Sequence, residues 1–389
     1  MTKLTQTRHM LTMAGQDFIR SNEIDGLRGL AAAAVVFYHS ILYAGDLAST
    51  TLLLPIQDLQ SLRDKITKLV LLALNGHSAV MLFFVLSGFV LTLSLNRAGE
   101  IDAKAALNFI IRRLLRLYPV LVVVLAMYWI ISYVYYLLGW NGFPLPSFEN
   151  FIRNAVLVQN VWIGPSYTIQ LEILAVPFIL IFYIIRRKFG ISGLLFCIVY
   201  ALLAINEPAL TFHIPEMEHW LIAFVMGIVI AEPGWRSYFS SFSPAAIWGI
   251  AFLFLFCRVG VMLVAPSAIV AQVLLCAALV GSICYAQHTG GLRAALRLPF
   301  IQHLGRISYS LYLVNVLFLL IIWSLIGKSA IYQHRPVEVG LLVGLVATAL
   351  SIPVATYLEK HVEQWGIRMG RKFSVSRAPR NDPATHAAP

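Results

Sequence analysis

Within Ile24 to His39, which reads IDGLRGLAAAAVVFYH, an arginine and a histidine interrupt a run that is otherwise almost wholly apolar. On an ideal helix the eleven steps from Arg28 to His39 turn through about 1100°, three turns plus roughly 20°, so both side chains share one face about 16 Å apart. One face then carries a guanidinium near a membrane surface and an imidazole deep inside. Ionisable groups in hydrocarbon cost roughly 2.5 kcal/mol or more, so they face a bundle interior or a water-filled cavity. An imidazole there can serve as a general base or as an acyl-accepting nucleophile. The same pair also fits a histidine bonded to a neighbouring helix beside an arginine that snorkels to the headgroups.

Other residues join this pair as candidates. Arg112, Arg113 and Arg116 crowd the stretch RRLLRLYP at i, i+3 and i, i+4 spacing, which puts two or three guanidinium groups on one patch of helix. Forked guanidinium donors match phosphate geometry and make a clamp for a phosphorylated donor; basic residues at the inner end of a span also serve simply as a topology signal or a lipid anchor. Glu172, in SYTIQLEILAVP, stands about 9 Å inside its helix, where a carboxylate needs a partner. His39 is at a compatible depth, and a Glu172 to His39 pairing would orient the imidazole; Arg258, deep in another apolar run, is the other candidate. Ser87 lies in FFVLSGF, outside any GxSxG elbow, where a small residue packs a helix more often than it reacts. Tyr167, Tyr309 and Asn315 offer hydroxyls and an amide that either line a cavity or bond between helices. His77 stands at the outer end of a span, and Glu359, Lys360, His361 and Glu363 close the last span, where they read as anchors of a helix end.

The elements that must hold these groups are membrane helices. Of 389 residues, 59% are hydrophobic and only 12% charged, which excludes an ordinary soluble domain. Apolar runs of roughly 17 to 25 residues recur from end to end, without the alternation of a barrel. The chain reads as an all-α polytopic bundle of about ten spans, roughly Gly26 to Tyr43, His77 to Leu95, Phe109 to Ser132, Ser166 to Ile185, Ile191 to Ile205, His219 to Ala231, Pro244 to Val264, Ala268 to Tyr285, Ile307 to Ile326 and Val337 to Leu358. With the N-terminus inside, about 22 of the 29 Lys and Arg fall on the cytoplasmic side, and an even number of spans places both termini there. The net charge of +11 is thereby explained by topology and gives no reason to invoke nucleic acid.

Residues 1–23 are expected to be a cytoplasmic segment with a retained first helix after it, 24–372 one membrane domain, and 373–389 a disordered cytoplasmic tail. Four cysteines lie in apolar runs without ligand spacing, which indicates neither a disulfide framework nor a metal site. The first outer loop carries Ile56, Leu59, Leu62, Ile66, Leu69 and Val70 at helical spacing, which predicts an amphipathic helix on the outer surface.

Taken in order, the Arg28 and His39 spacing, FFVLSGF, the RxxR element at Arg113 and Arg116 followed by LYP, SYTIQLE, ISYSLYL and YLEK resemble the membrane-bound acyltransferase-3 family, which includes bacterial O-antigen and exopolysaccharide O-acetylases. The resemblance runs from about Ile24 to Trp365. It implies ten helices, acyl-CoA, most simply acetyl-CoA, as a cytosolic co-substrate with no permanently bound cofactor, and a carbohydrate hydroxyl as acceptor at the outer face. It implies a bacterial inner-membrane location, an essential role for Arg28 and His39, and donor contact by Arg113 and Arg116. This chain departs from many relatives at Tyr167, where they have Trp, and at Val314 and Asn315, where they have an aromatic residue and His. Some relatives carry an extra esterase-like domain, for which no room is expected here.

The expectation is therefore a membrane O-acyltransferase with His39, Glu172 and Arg28 in catalysis, Arg112, Arg113 and Arg116 on the donor, and Ser87, Tyr167, Arg258, Tyr309 and Asn315 at the acceptor or cavity. The alternative is a transporter or flippase of a lipid-linked sugar, whose mark of paired broken helices in two symmetric halves is missing from the sequence.

Overall fold

The structure is a computed structural model that describes residues 22–43, 46–98, 101–140, 143–159, 162–164, 166–260, 266–327 and 329–372. The predicted tail 373–389 and nearly all of the predicted N-terminal segment lie outside the described residues. Every regular element among the described residues is helical. In chain order they are α1 (Asn22–Leu42), α2 (Asp46–Leu53), α3 (Leu62–Ala73), α4 (Gly76–Ala98), α5 (Ala103–Leu137), α6 (Phe148–Ala155), α7 (Ser166–Ala204), α8 (Met217–Ile230), α9 (Gly234–Ser240), α10 (Pro244–Phe256), α11 (Pro266–Tyr285), α12 (Leu292–Leu296), α13 (Pro299–Arg306), α14 (Ser308–Ile326), α15 (Ala330–His334), α16 (Pro336–Leu358) and α17 (Gln364–Lys372). A π-helical turn, Glu359–Glu363, joins the last two.

Each predicted span falls on a helix as far as the described residues go, the end of the Pro244 to Val264 span, 261–264, lying outside them, but the count of ten does not follow from length. Six helical stretches are long and apolar enough to cross a bilayer, or seven if α8 and α9, bent by 85° at their junction, are taken as one broken span. The reasons are local. Two predicted spans share the stretch α7, which counts once by length but is two helices that meet at Gly190, whose φ of 60° and ψ of −132° leave helical space; the second folds back on the first, with Cys197 Sγ 3.8 Å from the Phe182 carbonyl oxygen. Helix α10 has 13 residues, too few for about 30 Å of hydrocarbon at 1.5 Å per residue. In α1 the polar groups Asp25, Arg28 and His39 dilute the apolar run. The predicted outer amphipathic helix is α3, begun by Ser61, whose hydroxyl accepts the Asp64 N–H at 3.0 Å. It turns Thr67, Lys68, Leu71 and Leu72 toward the protein and leaves Leu62, Ile66 and Leu69 exposed.

Helix α1 occupies the centre, with α4 on one side and α13, α14 and α16 on the others. In a bilayer the lipid tails are as apolar as leucine, so close backbone approach and polar bonds hold helices together more than apolar burial does. Both operate at the start of α1. A Cβ placed on Gly29 would stand 2.6 Å from the Gly305 backbone nitrogen, so α1 and α13 touch there only because both positions are glycine. Just before it, the buried Glu23 carboxylate accepts from Arg293 Nη2 at 2.7 Å and from Arg297 Nε and Nη2 at 2.9 and 2.5 Å. Two lateral constraints within about two turns fix the rotation of α1, and so the direction in which Arg28 leaves it.

Candidate active site

Helix α5 starts at Asp102, whose carboxylate accepts the Ala105 N–H at 2.7 Å, and runs inward for ten residues, roughly 15 Å, before it reaches Arg113. Arg113 Nη2 donates to Ser87 Oγ on α4 at 3.1 Å and makes a direct ion pair with Glu172 Oε1 on α7. One turn further, Arg116 Nε stands 3.7 Å from Glu363 Oε1, contributed by the π-helical turn. Pro119 explains how that turn comes to lie there. A proline has no N–H, so the Leu115 carbonyl loses its helical donor, and Gly366 of α17 packs directly against that carbonyl oxygen.

These groups surround one cavity of about 70 Å³ in the middle of the bundle, lined by Arg28, Ser87, Arg113, Arg116, Glu172 and Tyr309, with Thr168, Ser308 and Tyr312 and an apolar wall from α4. The space is enough for a few water molecules and is polar where α1, α5, α7 and α14 face it. Its walls are partly locked. Tyr309 donates to the Leu117 carbonyl at 2.6 Å, and Thr168 donates to the Tyr312 hydroxyl at 3.1 Å. Two buried donors are not locked: Arg113 Nε and Ser308 Oγ have no hydrogen-bond partner. Arg28 also lines the cavity and makes no hydrogen bond or ion pair among the described residues, although Arg113, Arg116 and Glu363 are all close enough to interact with it electrostatically. Three guanidinium groups thus share the site with two carboxylates, leaving one positive charge uncompensated by a contact.

The arrangement corrects the expected partner of Glu172. It bonds to Arg113, not to His39 or Arg258. Depth along the helices allows all three, and only the rotation of α5 toward α7 selects Arg113. Ser87 accepts from a guanidinium, the opposite of what activates a nucleophile, which needs a base on its proton.

The structure separates the predicted residues into two groups. Arg28, Ser87, Arg113, Arg116, Glu172 and Tyr309 come together; His39, Arg112, Tyr167, Arg258 and Asn315 do not line the cavity. Arg112 turns away, its Nε donating to the Asn108 carbonyl at 3.3 Å on its own helix. Asn315 is fully buried and donates to the Leu311 and Tyr312 carbonyls at 2.9 and 2.7 Å, a backbone bond rather than a cavity contact. Arg258, also fully buried, lies in the field of Tyr38 and His77. His39 stands beyond the cavity on α1, half-buried, with Tyr38 edge-on at 5.6 Å between ring centroids and no side-chain hydrogen bond among the described residues. Tyr167 bridges the two groups, being close enough to interact electrostatically with Tyr312 in the cavity wall and with Tyr38 beside His39.

Sequence reasoning reads Glu363 as an anchor and gives no role to Thr168; Ser308 and Tyr312, in the same stretch as Tyr309, read there as hydroxyls that bond between helices or line the cavity, and the structure puts both in the lining. For Glu363 a signal exists: a carboxylate next to Val362 and separated from Trp365 by one residue, in a stretch whose charged residues are mostly basic.

The sequence profile of a family described as an acyltransferase domain matches residues 21–360. A curated relative, Acyltransferase MdmB of Streptomyces mycarofaciens, is 27% identical over 415 aligned residues, which cover 95% of this chain and 97% of that protein. No solved structure matches the chain.

Proposed function

The chain belongs to the acyltransferase-3 family and is an integral membrane acyltransferase, and from that premise we propose that it moves an acyl group, most simply acetyl, from cytosolic acyl-CoA to a carbohydrate hydroxyl on the outer side of a bacterial inner membrane. The observation that carries this reading is Arg28: a guanidinium that lines the central cavity beside Arg113 and Arg116 while holding no carboxylate of its own among the described residues. Its forked donors suit a phosphate or a thioester carbonyl, and low dielectric strengthens either bond.

In this reading the end of the bundle that carries Arg28 and the start of α5 is cytoplasmic. The CoA phosphates approach Arg116 and Arg28 there, while Arg113 is held in place by Glu172 and Ser87. The flexible pantetheine arm carries the thioester along α1 toward His39, roughly 16 Å from Arg28. The neutral His39 imidazole takes the proton from the acceptor hydroxyl as its oxygen attacks the thioester carbon. The new C–O bond forms, the C–S bond breaks, and the proton passes from the imidazole to the departing thiolate to give free CoA. A variant of the same scheme places the acyl group on His39 first, with the sugar hydroxyl then attacking the acyl-imidazole. In both, Glu172 acts through Arg113 on the donor side and leaves the imidazole without a carboxylate partner.

The direct test is release of free CoA thiol by the purified protein in lipid when acetyl-CoA and a glycan acceptor are supplied together. Thiol release that requires the acceptor, with an acetyl mass added to the glycan, is the expected result. A transporter of lipid-linked sugar would move the glycan without releasing thiol, and that outcome would end the acyl-transfer reading.

A further inference from the structure

Glu363 lies outside the cavity lining yet in contact range of its charges. Its side chain is 5% exposed; Oε1 faces Arg116 Nε at 3.7 Å, and Oε2 is buried with no hydrogen-bond partner. Charge-assisted pairs close to about 2.7 to 2.9 Å when nothing opposes them, so this pair is only half made. A buried carboxylate with one oxygen unsatisfied is costly to keep. The Glu172 pair is the contrast: it is in direct contact with Arg113, which also donates to Ser87. Of the two arginines, Arg116 is the more exposed, at 33% against 11%, and the more loosely held.

We propose that Glu363 is a positioning residue that occupies the anion seat of Arg116 and Arg28 between turnovers and gives it up to the phosphate groups of the donor. The inference rests on the donor reading given above. A site with three guanidinium groups and only one firmly paired carboxylate would bind CoA product as tightly as acyl-CoA, because the phosphates are the same on both. A resident carboxylate that competes for Arg116 weakens both equally and so hastens release of the product. The structure offers the means for it to move. Glu363 ends a π-helical turn in which the Gln364 N–H bonds to the Glu359 carbonyl, one residue further than in an α-helix. Such a turn holds one residue more than the regular helix, and converting it to α-helix rotates the adjoining segment by about 100°, enough to swing a side chain off Arg116.

The test uses the full-length protein in lipid nanodiscs and CoA itself as the probe, with acetyl-CoA for turnover. Glu363→Gln removes the competing charge and keeps the shape, so the Kd for CoA should fall roughly fivefold to tenfold, KM for acetyl-CoA should fall with it, and kcat should fall as CoA lingers. A residue that only holds the fold would move thermal stability and leave the ratio of kcat to KM effects unsplit. If the folded Glu363→Gln protein binds CoA no more tightly than wild type, the inference is wrong. Should that variant fail to fold, Glu363→Asp retains the charge but shortens its reach to Arg116, and a CoA Kd about twofold lower supports the inference while an unchanged one overturns it. Wild-type protein that binds no CoA at all brings down the donor reading and this inference together, whereas equal binding by wild type and variant brings down only the latter.

Discussion

The two halves of α1 stand in different chemical surroundings. Arg28 opens on a region dense with formal charge, where Arg113, Arg116, Glu172 and Glu363 converge from α5, α7 and the π-helical turn. Around His39 the surroundings are aromatic: Tyr38 stands edge-on to it and packs on Gly76, and the next residue, His77, lies tilted against Trp220 with ring centroids 4.4 Å apart. Arg258 is a buried cation in that half. A phosphorylated donor requires the first kind of surface, and a polyhydroxylated acceptor is met by the second, with flat rings and single hydrogen-bonding groups. In the proposed reaction this difference puts donor and acceptor at opposite ends of one helix, with His39, the proposed base, at the acceptor's end.

The sharpest way to break that division is at His39. His39→Ala is expected to lower acyl transfer by 10²- to 10⁴-fold or more, the usual worth of general-base help, while CoA binding measured separately stays within a factor of two of wild type. Loss of CoA binding in this variant would merge the two halves into one site.

Next in size is a purely structural effect on the charged side. Arg113→Met leaves Glu172 as a carboxylate inside the bundle without its ion pair. Breaking a buried pair from one side costs about 3 kcal/mol, somewhat less here because Glu172 is 21% exposed. The double variant Arg113→Met, Glu172→Leu should recover most of the lost thermal stability, because an apolar pair of similar volume replaces the ionic one, but it should not recover activity. Recovery of both would make the pair scaffolding alone.

Arg28→Ala separates function from fold on the same side. Because Arg28 makes no contact-distance ion pair or hydrogen bond among the described residues, its loss should leave the melting temperature within a degree or two of wild type. A charge-assisted bond to a ligand is worth roughly 1.5 to 3 kcal/mol, so KM for acetyl-CoA should rise about tenfold or more. A fall in stability with unchanged KM would reverse the assignment.

How far the sequence reveals all this depends on which coordinate of a helix is asked for. Position along the axis is legible. Apolar runs place α4, α11, α14 and α16 to within a few residues, because the length needed to cross hydrocarbon leaves little choice. The same runs mark Arg28, Arg113, Arg116 and Glu172 as groups too costly to leave in lipid. Rotation about the axis is not legible. Glu172 pairs with Arg113 rather than His39 because of how α5 and α7 face one another, a tertiary fact that no local spacing encodes. Glu363 escapes for a related reason: the π-helical turn shifts its phase by one residue, so a regular helical reading from Leu358 points it elsewhere. The two apolar runs on either side of Arg186 to Lys188 read as two spans, and the structure agrees: the chain leaves helical space at Gly190 and the second helix folds back on the first.

The smallest expected effect tests that distinction most closely. By spacing alone Arg112, Arg113 and Arg116 form one clamp, since i, i+4 relates the first to the last and i, i+3 the second. In the structure the three divide: Arg113 and Arg116 line the cavity, while Arg112 bonds back to Asn108 and lies against Gly370 of α17. On an ideal helix Arg112 stands only about 40° from Arg116, so what keeps it from a phosphate held by Arg116 and Arg28 is its bond to Asn108 and its place against Gly370 rather than its helical phase. Arg112→Ala should therefore change KM for acetyl-CoA by less than about twofold, since what it removes is a partly exposed backbone bond and some packing on α17. Arg116→Ala, one turn away with the same change in formal charge, should raise it several-fold. Comparing the two at matched ionic strength removes the general loss of positive potential from the result. Equal effects would mean that the basic end of α5 attracts the donor only as a diffuse field, and that the cavity geometry around Arg28 has no part in choosing which arginine binds.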